Sequence, residues 1–294
     1  MRRGRVALFP GQGVPARTVL ESLPEDHELM ERAGEVLGYE LRKRVEIAAR
    51  RKGAVLPTAL AQPAIFVASV IGYERAVAEG ASFDAIVGHS LGEYPALVAG
   101  EAISFETGVS LVKVRGEAMD KAARIAPGGM IAVLGLDEDD VESIRANADL
   151  AVANDNAPGQ VVLSGPEERL SVAAGLAKNL GGRSVLLQVQ GAFHTSAMDP
   201  AVKALEDALD QVEVRSPQLP VVSNVSARPY KAPGEIRKLL VTQLVRRVRF
   251  RESLEWVWSR GVRDYVDVGP GDVAAGLANR TFTNLERNEE AVGV

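Results

Sequence analysis

Phe83-Asp84-Ala85-Ile86-Val87, then Gly88-His89-Ser90-Leu91-Gly92, then Glu93-Tyr94-Pro95-Ala96-Leu97-Val98-Ala99: this stretch decides the fold. The first segment is a short apolar run of the kind that lies buried in a parallel sheet. The last reads as a helix with Pro95 in its first turn, where a missing N–H is tolerated. Strand, Gly-x-Ser-x-Gly and helix in that order are the setting of a nucleophile elbow. The small residues Gly88 and Gly92 leave room for a crowded turn that lifts the Ser90 hydroxyl over the sheet. A plain polar loop could carry the five-residue pattern alone, but the flanking strand and helix make Ser90 a candidate nucleophile in an α/β fold.

Working outward, Val6-Ala7-Leu8-Phe9 predicts a buried first strand that feeds the tight loop Pro10-Gly11-Gln12-Gly13. Helices are expected over 20–37 and 40–51, from Gln62-Pro63 through the apolar run to Ile71, and over 105–123. From Gly128 the pattern changes. Strands are expected at 130–134, 150–153, 160–164 and 184–189, with helices at 138–147 and 167–180. Residues 154–159 read as Asn-, Pro- and Gly-rich turn residues between two of those strands. The order βαββαβ is a ferredoxin-like unit. It sits as an insert, so a small domain at 127–190 interrupts a large α/β domain made of 1–126 and 191–294. Late strands are expected at 221–225 and 264–268, a long helical region at 234–260, and a loose tail from Asn284.

Composition narrows the function classes. Hydrophobic residues make up 46% of the 294 and charged residues 25%, an ordinary globular balance. A net charge of −5 argues against nucleic acid as a partner. The absence of cysteine excludes disulfides, thiolate metal sites and a Cys nucleophile. The basic start Met1-Arg2-Arg3-Gly4-Arg5 is followed by too short an apolar run for a signal peptide, and no stretch approaches the ~20 apolar residues that span a bilayer. A soluble, cytoplasmic protein without membrane contact is expected.

A serine hydroxyl needs a base, and the chain has three histidines. His27 lies in the charged run Glu25-Asp26-His27-Glu28 and reads as a solvated helix start. His89 adjoins Ser90, where neighbouring side chains diverge. His194, in Gln190-Gly191-Ala192-Phe193-His194-Thr195-Ser196, is left as general base and acid. No aspartate sits in a distinctive setting to orient it, so the third member stays open. Arg115 falls on the apolar stripe Gly108, Leu111, Val112, Met119, Ala122 of the 105–123 helix. A buried guanidinium needs an anion. Glu101 or Glu106 could serve, and so could a substrate carboxylate gripped in a bidentate way. Gly11-Gln12-Gly13 could lend a backbone amide to an oxyanion hole.

With these residues in place, the chain resembles, along nearly its full length, the malonyl-CoA:acyl-carrier-protein transacylases and the acyltransferase domains of polyketide synthases. The resemblance is carried by Phe9-Pro10-Gly11-Gln12-Gly13, Gln62-Pro63-Ala64, Gly88 to Tyr94, Val114-Arg115-Gly116, Asn156-Ala157-Pro158-Gly159-Gln160 through Gly165, Ala192-Phe193-His194 and Val268-Gly269-Pro270-Gly271. It implies an α/β-hydrolase-like large domain with an inserted ferredoxin-like small domain. It also implies transfer of malonyl from malonyl-CoA to the thiol of an acyl carrier protein, with no cofactor beyond the CoA thioester substrate and no metal. Ser90 would carry the acyl group and His194 the proton, with the main-chain carbonyl at Gln243 orienting His194. The amides of Gln12 and Leu91 would form the oxyanion hole, and Arg115 would hold the malonyl carboxylate. Phe193 would favour malonyl over methylmalonyl or another larger extender unit. Two places depart from the family pattern: Val14-Pro15-Ala16-Arg17 after the Gly-Gln-Gly loop, and Arg246-Arg247 where an Asn-Pro pair is common. With Arg249 and Arg251 those arginines are either a solvated face or a contact for acidic carrier helices or CoA phosphates. An acyl hydrolase of the same fold and a non-catalytic docking subunit are the competing readings; an inward cation beside an intact serine and histidine disfavours both.

Overall fold

A computed structural model describes residues 4–51 and 53–292. In chain order the elements are β1 (Gly4–Phe9), α1 (Ala16–Glu21), α2 (Glu28–Leu37), α3 (Leu41–Ala49), α4 (Thr58–Ala78), β2 (Ala85–Gly88), α5 (Glu93–Ala99) and α6 (Phe105–Ile125). Then come β3 (Gly129–Leu134), α7 (Glu138–Ala148), β4 (Ala151–Ala157), β5 (Gln160–Gly165), α8 (Glu167–Asn179) and β6 (Arg183–Leu186). The chain ends with α9 (Asp199–Asp210), β7 (Val221–Val222), α10 (Pro233–Gln243), β8 (Val248–Arg249), α11 (Phe250–Trp258), β9 (Val262–Asp267) and α12 (Val273–Val292).

The central sheet is parallel, in the order β7-β2-β1-β9, with Phe9 opposite Gly88 and Leu8 opposite Asp267. Both of its faces are covered. Ala7, Phe9, Ile86 and Val221 point into the core shared with α4 and α6, while Val6, Leu8, Val87 and Val222 point into a second core with α11 and α12. Alternation between two buried faces explains why these strands read as unbroken apolar runs. Because all four strands run the same way, the loops that leave them gather at one edge, where open α/β sheets place their sites. Pro10–Gly13, the elbow and Ser223-Asn224 meet there.

The second sheet has the order β6-β3-β5-β4, antiparallel throughout, with α7 and α8 packed over Ile131, Val133 and Leu163. That is the ferredoxin-like order. β8 adds a fifth strand beside β4, pairing Asn154 with Val248 and Asp155 with Arg249.

Several expected boundaries are corrected. The helix over 20–37 is two helices, because Pro24 disfavours helical geometry at Leu23 and His27 starts a new one by accepting from the Leu29 amide at 3.2 Å. The helix assigned to begin at Gln62-Pro63 begins at Thr58, so Pro63 lies within it. Residues 154–157 are strand rather than turn. The 234–260 region is broken after Gln243, where pairing of Val248 and Arg249 to β4 replaces helical bonds. The expected loose tail is helical to Val292: Leu285 packs on the second core and Glu289 bonds Arg263 at 3.2 Å. Among the described residues no helix is long and apolar enough to cross a membrane.

Candidate active site

β2 delivers the chain to Ser90, whose φ is 52°, and a short 3₁₀ turn (Ser90–Gly92) leads on into α5. The turn tolerates no side chain on either flank. A Cβ on Gly88 would stand 2.1 Å from the Gly92 carbonyl carbon, and one on Gly92 2.2 Å from the Phe9 oxygen. Asn224, just past β7, clamps the elbow: its Nδ2 donates to Gly88 O at 2.7 Å and its Oδ1 accepts from Ser90 N at 2.6 Å. The amide of Ser90 is thereby occupied, which leaves the amides beyond it for a developing oxyanion.

Ser90 Oγ lies 2.9 Å from His194 Nε2, and His194 Nδ1 lies 2.7 Å from the main-chain oxygen of Gln243. A carbonyl only accepts, so Nδ1 carries the hydrogen and Nε2 is free to take the Ser90 proton. His194 is buried and also has a positive φ, 61°. Burial above all, and then the Arg115 charge, push its pKa down to about 3 against the pull of the Gln243 carbonyl, so the ring is a neutral base. The competing histidines fall as expected. His89 turns away, with Nε2 2.7 Å from Asn156 Oδ1 and its ring edge-on to Phe250 at 5.0 Å.

Arg115 is 1% exposed, on the inward face of α6. Its Nη1 donates to Gln62 Oε1 at 2.9 Å; its Nη2 donates to Gln243 Oε1 at 2.8 Å and to Ser90 Oγ at 3.1 Å. All three acceptors are neutral. Among the described residues neither the Nε nor the hydroxyl of Tyr94 makes a well-formed hydrogen bond, and the guanidinium faces the Tyr94 ring at 5.5 Å. Neither proposed glutamate pairs with it: Glu106 is held by Arg32 at 2.6 Å, and Glu101 is exposed. The carboxylate whose charge reaches it is Glu93, bonded to Gln243 Nε2, to the Asn224 main-chain amide at 2.9 Å and to the Tyr230 hydroxyl at 2.6 Å. Burial raises its pKa to about 7, opposed by those donors and by Arg115.

The remaining expected residues lie around this centre or away from it. Leu91 is buried in the turn after Ser90. The loop of Gln12 lies against the elbow, since a Cβ on Gly11 would meet His89 Nδ1 at 2.7 Å; the Gln12 side chain donates to Thr58 Oγ1 at 3.0 Å. Beside Gln12 lies a cavity of about 300 Å³ bounded by Leu56, Thr58, Gln188 and Gln190. Phe193 is buried next to His194. The arginine cluster is thinner than its sequence suggests. Arg249 is tied to Glu252, and Arg251 to Asp155 at 3.0 Å and Glu138 at 2.6 Å. Arg247 reaches Glu252 at 3.3 Å, and Arg246 is exposed with no ion pair among the described residues. Among those residues no group of His, Asp and Glu is placed to hold a metal ion.

Gln62, Asn156, Asn224, Tyr230 and Glu93 were given no role by sequence reasoning. Glu93 alone carried a signal of its own: it is a lone carboxylate at the head of an otherwise apolar helix.

The chain is similar to known proteins over nearly its whole length. The sequence model of the acyl transferase domain matches residues 8–293. The malonyl CoA-acyl carrier protein transacylase of Bacillus subtilis (strain 168) is 35% identical, over 95% of this chain and 90% of its own. The solved transacylase of that name from Coxiella burnetii superposes with a TM-score of 0.84 at 32% identity, covering 96% of this chain and 92% of that one. The malonyl-transacylase solved in complex with a type II polyketide synthase acyl-carrier protein gives 0.82 at 31% identity, covering 95% and 93%. Sequence, superposition and the mixed α/β architecture agree: the chain belongs to the acyl transferase domain family.

Proposed function

We propose that this acyltransferase moves a malonyl group from malonyl-CoA to the phosphopantetheine thiol of an acyl carrier protein, by way of an ester on Ser90. The observation that carries the reading is Arg115, a buried guanidinium beside the nucleophile whose hydrogen-bond acceptors are all neutral. Leaving a buried cation without a partner costs several kcal/mol; a malonyl carboxylate supplies the missing charge and accepts two N–H bonds at once. A donor with a neutral acyl tail would leave that cost standing.

In the first half-reaction His194 Nε2 takes the Ser90 proton as Oγ attacks the thioester carbonyl. The oxyanion rests on the amides of Leu91 and Gln12. Collapse breaks the C–S bond, and His194 returns the proton to the CoA sulfur. In the second half-reaction the carrier thiol gives its proton to His194 and takes the malonyl group, which regenerates Ser90. These steps need no cofactor. Phe193 beside the base leaves little girth for an α-substituent; one methyl is worth only about 1–3 kcal/mol, so it sets a preference. We assign the ferredoxin-like small domain to 127–190 and the α/β-hydrolase-like large domain to 1–126 and 191–294. A CoA donor suits a cytoplasmic setting.

Intact-mass analysis tests the reading. The chain is expected to gain one malonyl group from malonyl-CoA and to lose it to added carrier protein, while Ser90→Ala gains none. Rapid release of malonate to water, with nothing passed to the carrier, would mean a hydrolase.

Arg246, and Arg247 with its exposed 3.3 Å pairing to Glu252, are the two cluster members that face solvent, where an acidic carrier could reach them. Reversing both to Glu is expected to raise the KM for carrier protein by about tenfold, as loss of two exposed charge contacts allows, with acylation by malonyl-CoA unchanged. Steady-state kinetics with carrier as the varied substrate checks this, and an unchanged KM would leave the two arginines a solvated surface.

A further inference from the structure

We propose that Glu93 is a positioning residue of this site: its carboxylate fixes which way round the Gln243 amide lies, and through that amide it holds Arg115 in place. The inference rests on the malonyl-transfer reading above. Glu93 opens α5, is 0% exposed, and takes part in none of the steps just described.

Ionised, as it is above about pH 7, the Glu93 carboxylate has only acceptors. Oε1 of Glu93 takes hydrogen bonds from the Asn224 amide and the Tyr230 hydroxyl, and Oε2 takes one from Gln243 Nε2. An amide has two unlike ends. With Nε2 turned towards Glu93 and the Ser90 carbonyl (2.9 Å), Oε1 is left facing Arg115 Nη2 at 2.8 Å. The flipped amide would set oxygen against both acceptors and an NH₂ group against the guanidinium. All three contacts would turn from favourable to unfavourable, and Glu93, once ionised, supplies the charged acceptor that locks the orientation Ser90 and Arg115 also favour. Gln243 also receives His194 Nδ1 on its main-chain oxygen. One residue therefore serves both the base and the cation, and its two services use different atoms. The side-chain service to Arg115 depends on Glu93; the main-chain service to His194 does not.

That difference makes the test. Glu93→Gln keeps the shape and still accepts from Asn224 and Tyr230, but it presents an NH₂ group to Gln243 Nε2. Relief by flipping Gln243 then sets donor against donor at Arg115. Two reactions are measured on the same preparations: malonyl transfer to carrier protein, and inactivation by phenylmethylsulfonyl fluoride. The latter sulfonylates Ser90 with loss of fluoride and offers Arg115 no carboxylate. Glu93→Gln is expected to lower kcat/KM for malonyl transfer at least ~30-fold, the scale of a buried polar group left unsatisfied, and the sulfonylation rate less than ~3-fold. Tyr230→Phe, which removes one donor from Glu93 and leaves Gln243 untouched, is expected to show a smaller loss with the same selectivity. It keeps the test valid should Glu93→Gln fold poorly. Variants that lose nothing, or lose both reactions alike, overturn the inference. A wild-type chain that accepts no malonyl overturns the functional reading, and this inference with it.

Discussion

Replacing Arg115 with alanine is expected to lower kcat/KM for malonyl-CoA by about 10²–10⁴-fold and to leave acetyl-CoA unharmed or improved. Removing one partner of a buried charge pair costs about 3–5 kcal/mol, and each 1.36 kcal/mol is tenfold in rate. For acetyl-CoA the same change removes a cation that has nothing to bind. It also relieves His194, whose basicity is held down by the Arg115 charge as well as by burial. Arg115→Lys should not restore malonyl transfer, because an ammonium cannot reach Gln62, Gln243 and a carboxylate with one fixed fork. Initial rates with both donors decide the matter. An equal fall for malonyl and acetyl would mean that Arg115 only supports the fold, and thermal unfolding of each variant separates that case.

The largest expected loss follows from His194→Ala: acylation of Ser90 should slow by roughly 10⁴–10⁶-fold, as removal of a base from a serine centre does elsewhere. Single-turnover acylation measures it. The same variant should change how stability depends on pH. Folded His194 titrates near 3 rather than at its ordinary 6.5, so between those values the unfolded chain binds a proton that the folded one refuses. Stability contributed by neutral His194 is thus lost as pH falls below 6.5. Glu93 acts in the opposite sense. Folded, it keeps its proton up to about 7 rather than 4.5, so its contribution is lost as pH rises through that window. From pH 4.5 to 6.5 the two slopes oppose each other. Without His194 its share of the slope is gone, and the variant should gain on the wild type by up to ~1.4 kcal/mol per pH unit as the pH falls. Denaturant titrations at several pH values check this; parallel curves would mean that His194 titrates normally.

The elbow was legible because its cause is local. Two glycines around a serine, after an apolar run and before a helix, specify a backbone path without help from the rest of the chain. The inward face of Arg115 was legible for a similar reason, as a periodicity within one helix. The polar groups around it were not. Gln62, Gln243 and Glu93 come from three different helices, and no spacing links residues brought together from positions 62, 93 and 243. The Asn154-Asp155-Asn156 run misled for the opposite reason. Polar turn formers ordinarily leave a strand, but here Asn156 is satisfied by His89 and Asp155 by Arg251, so the ladder continues through them. The same long-range pairing, made by Val248 and Arg249, cut the expected 234–260 helix in two. Sequence periodicity cannot see an edge strand two residues long.

The two residues that exchange the proton, Ser90 and His194, both sit in left-handed backbone, at φ 52° and 61°. Each such residue other than glycine costs about 1–3 kcal/mol of stability. Selection for catalysis therefore holds both positions against a standing thermodynamic gradient. At Ser90 a glycine would relieve that cost as it removes the nucleophile, whereas at His194 it would also empty a buried site and leave the Gln243 carbonyl without its donor, so the strain there is held in place by packing as well as by catalysis.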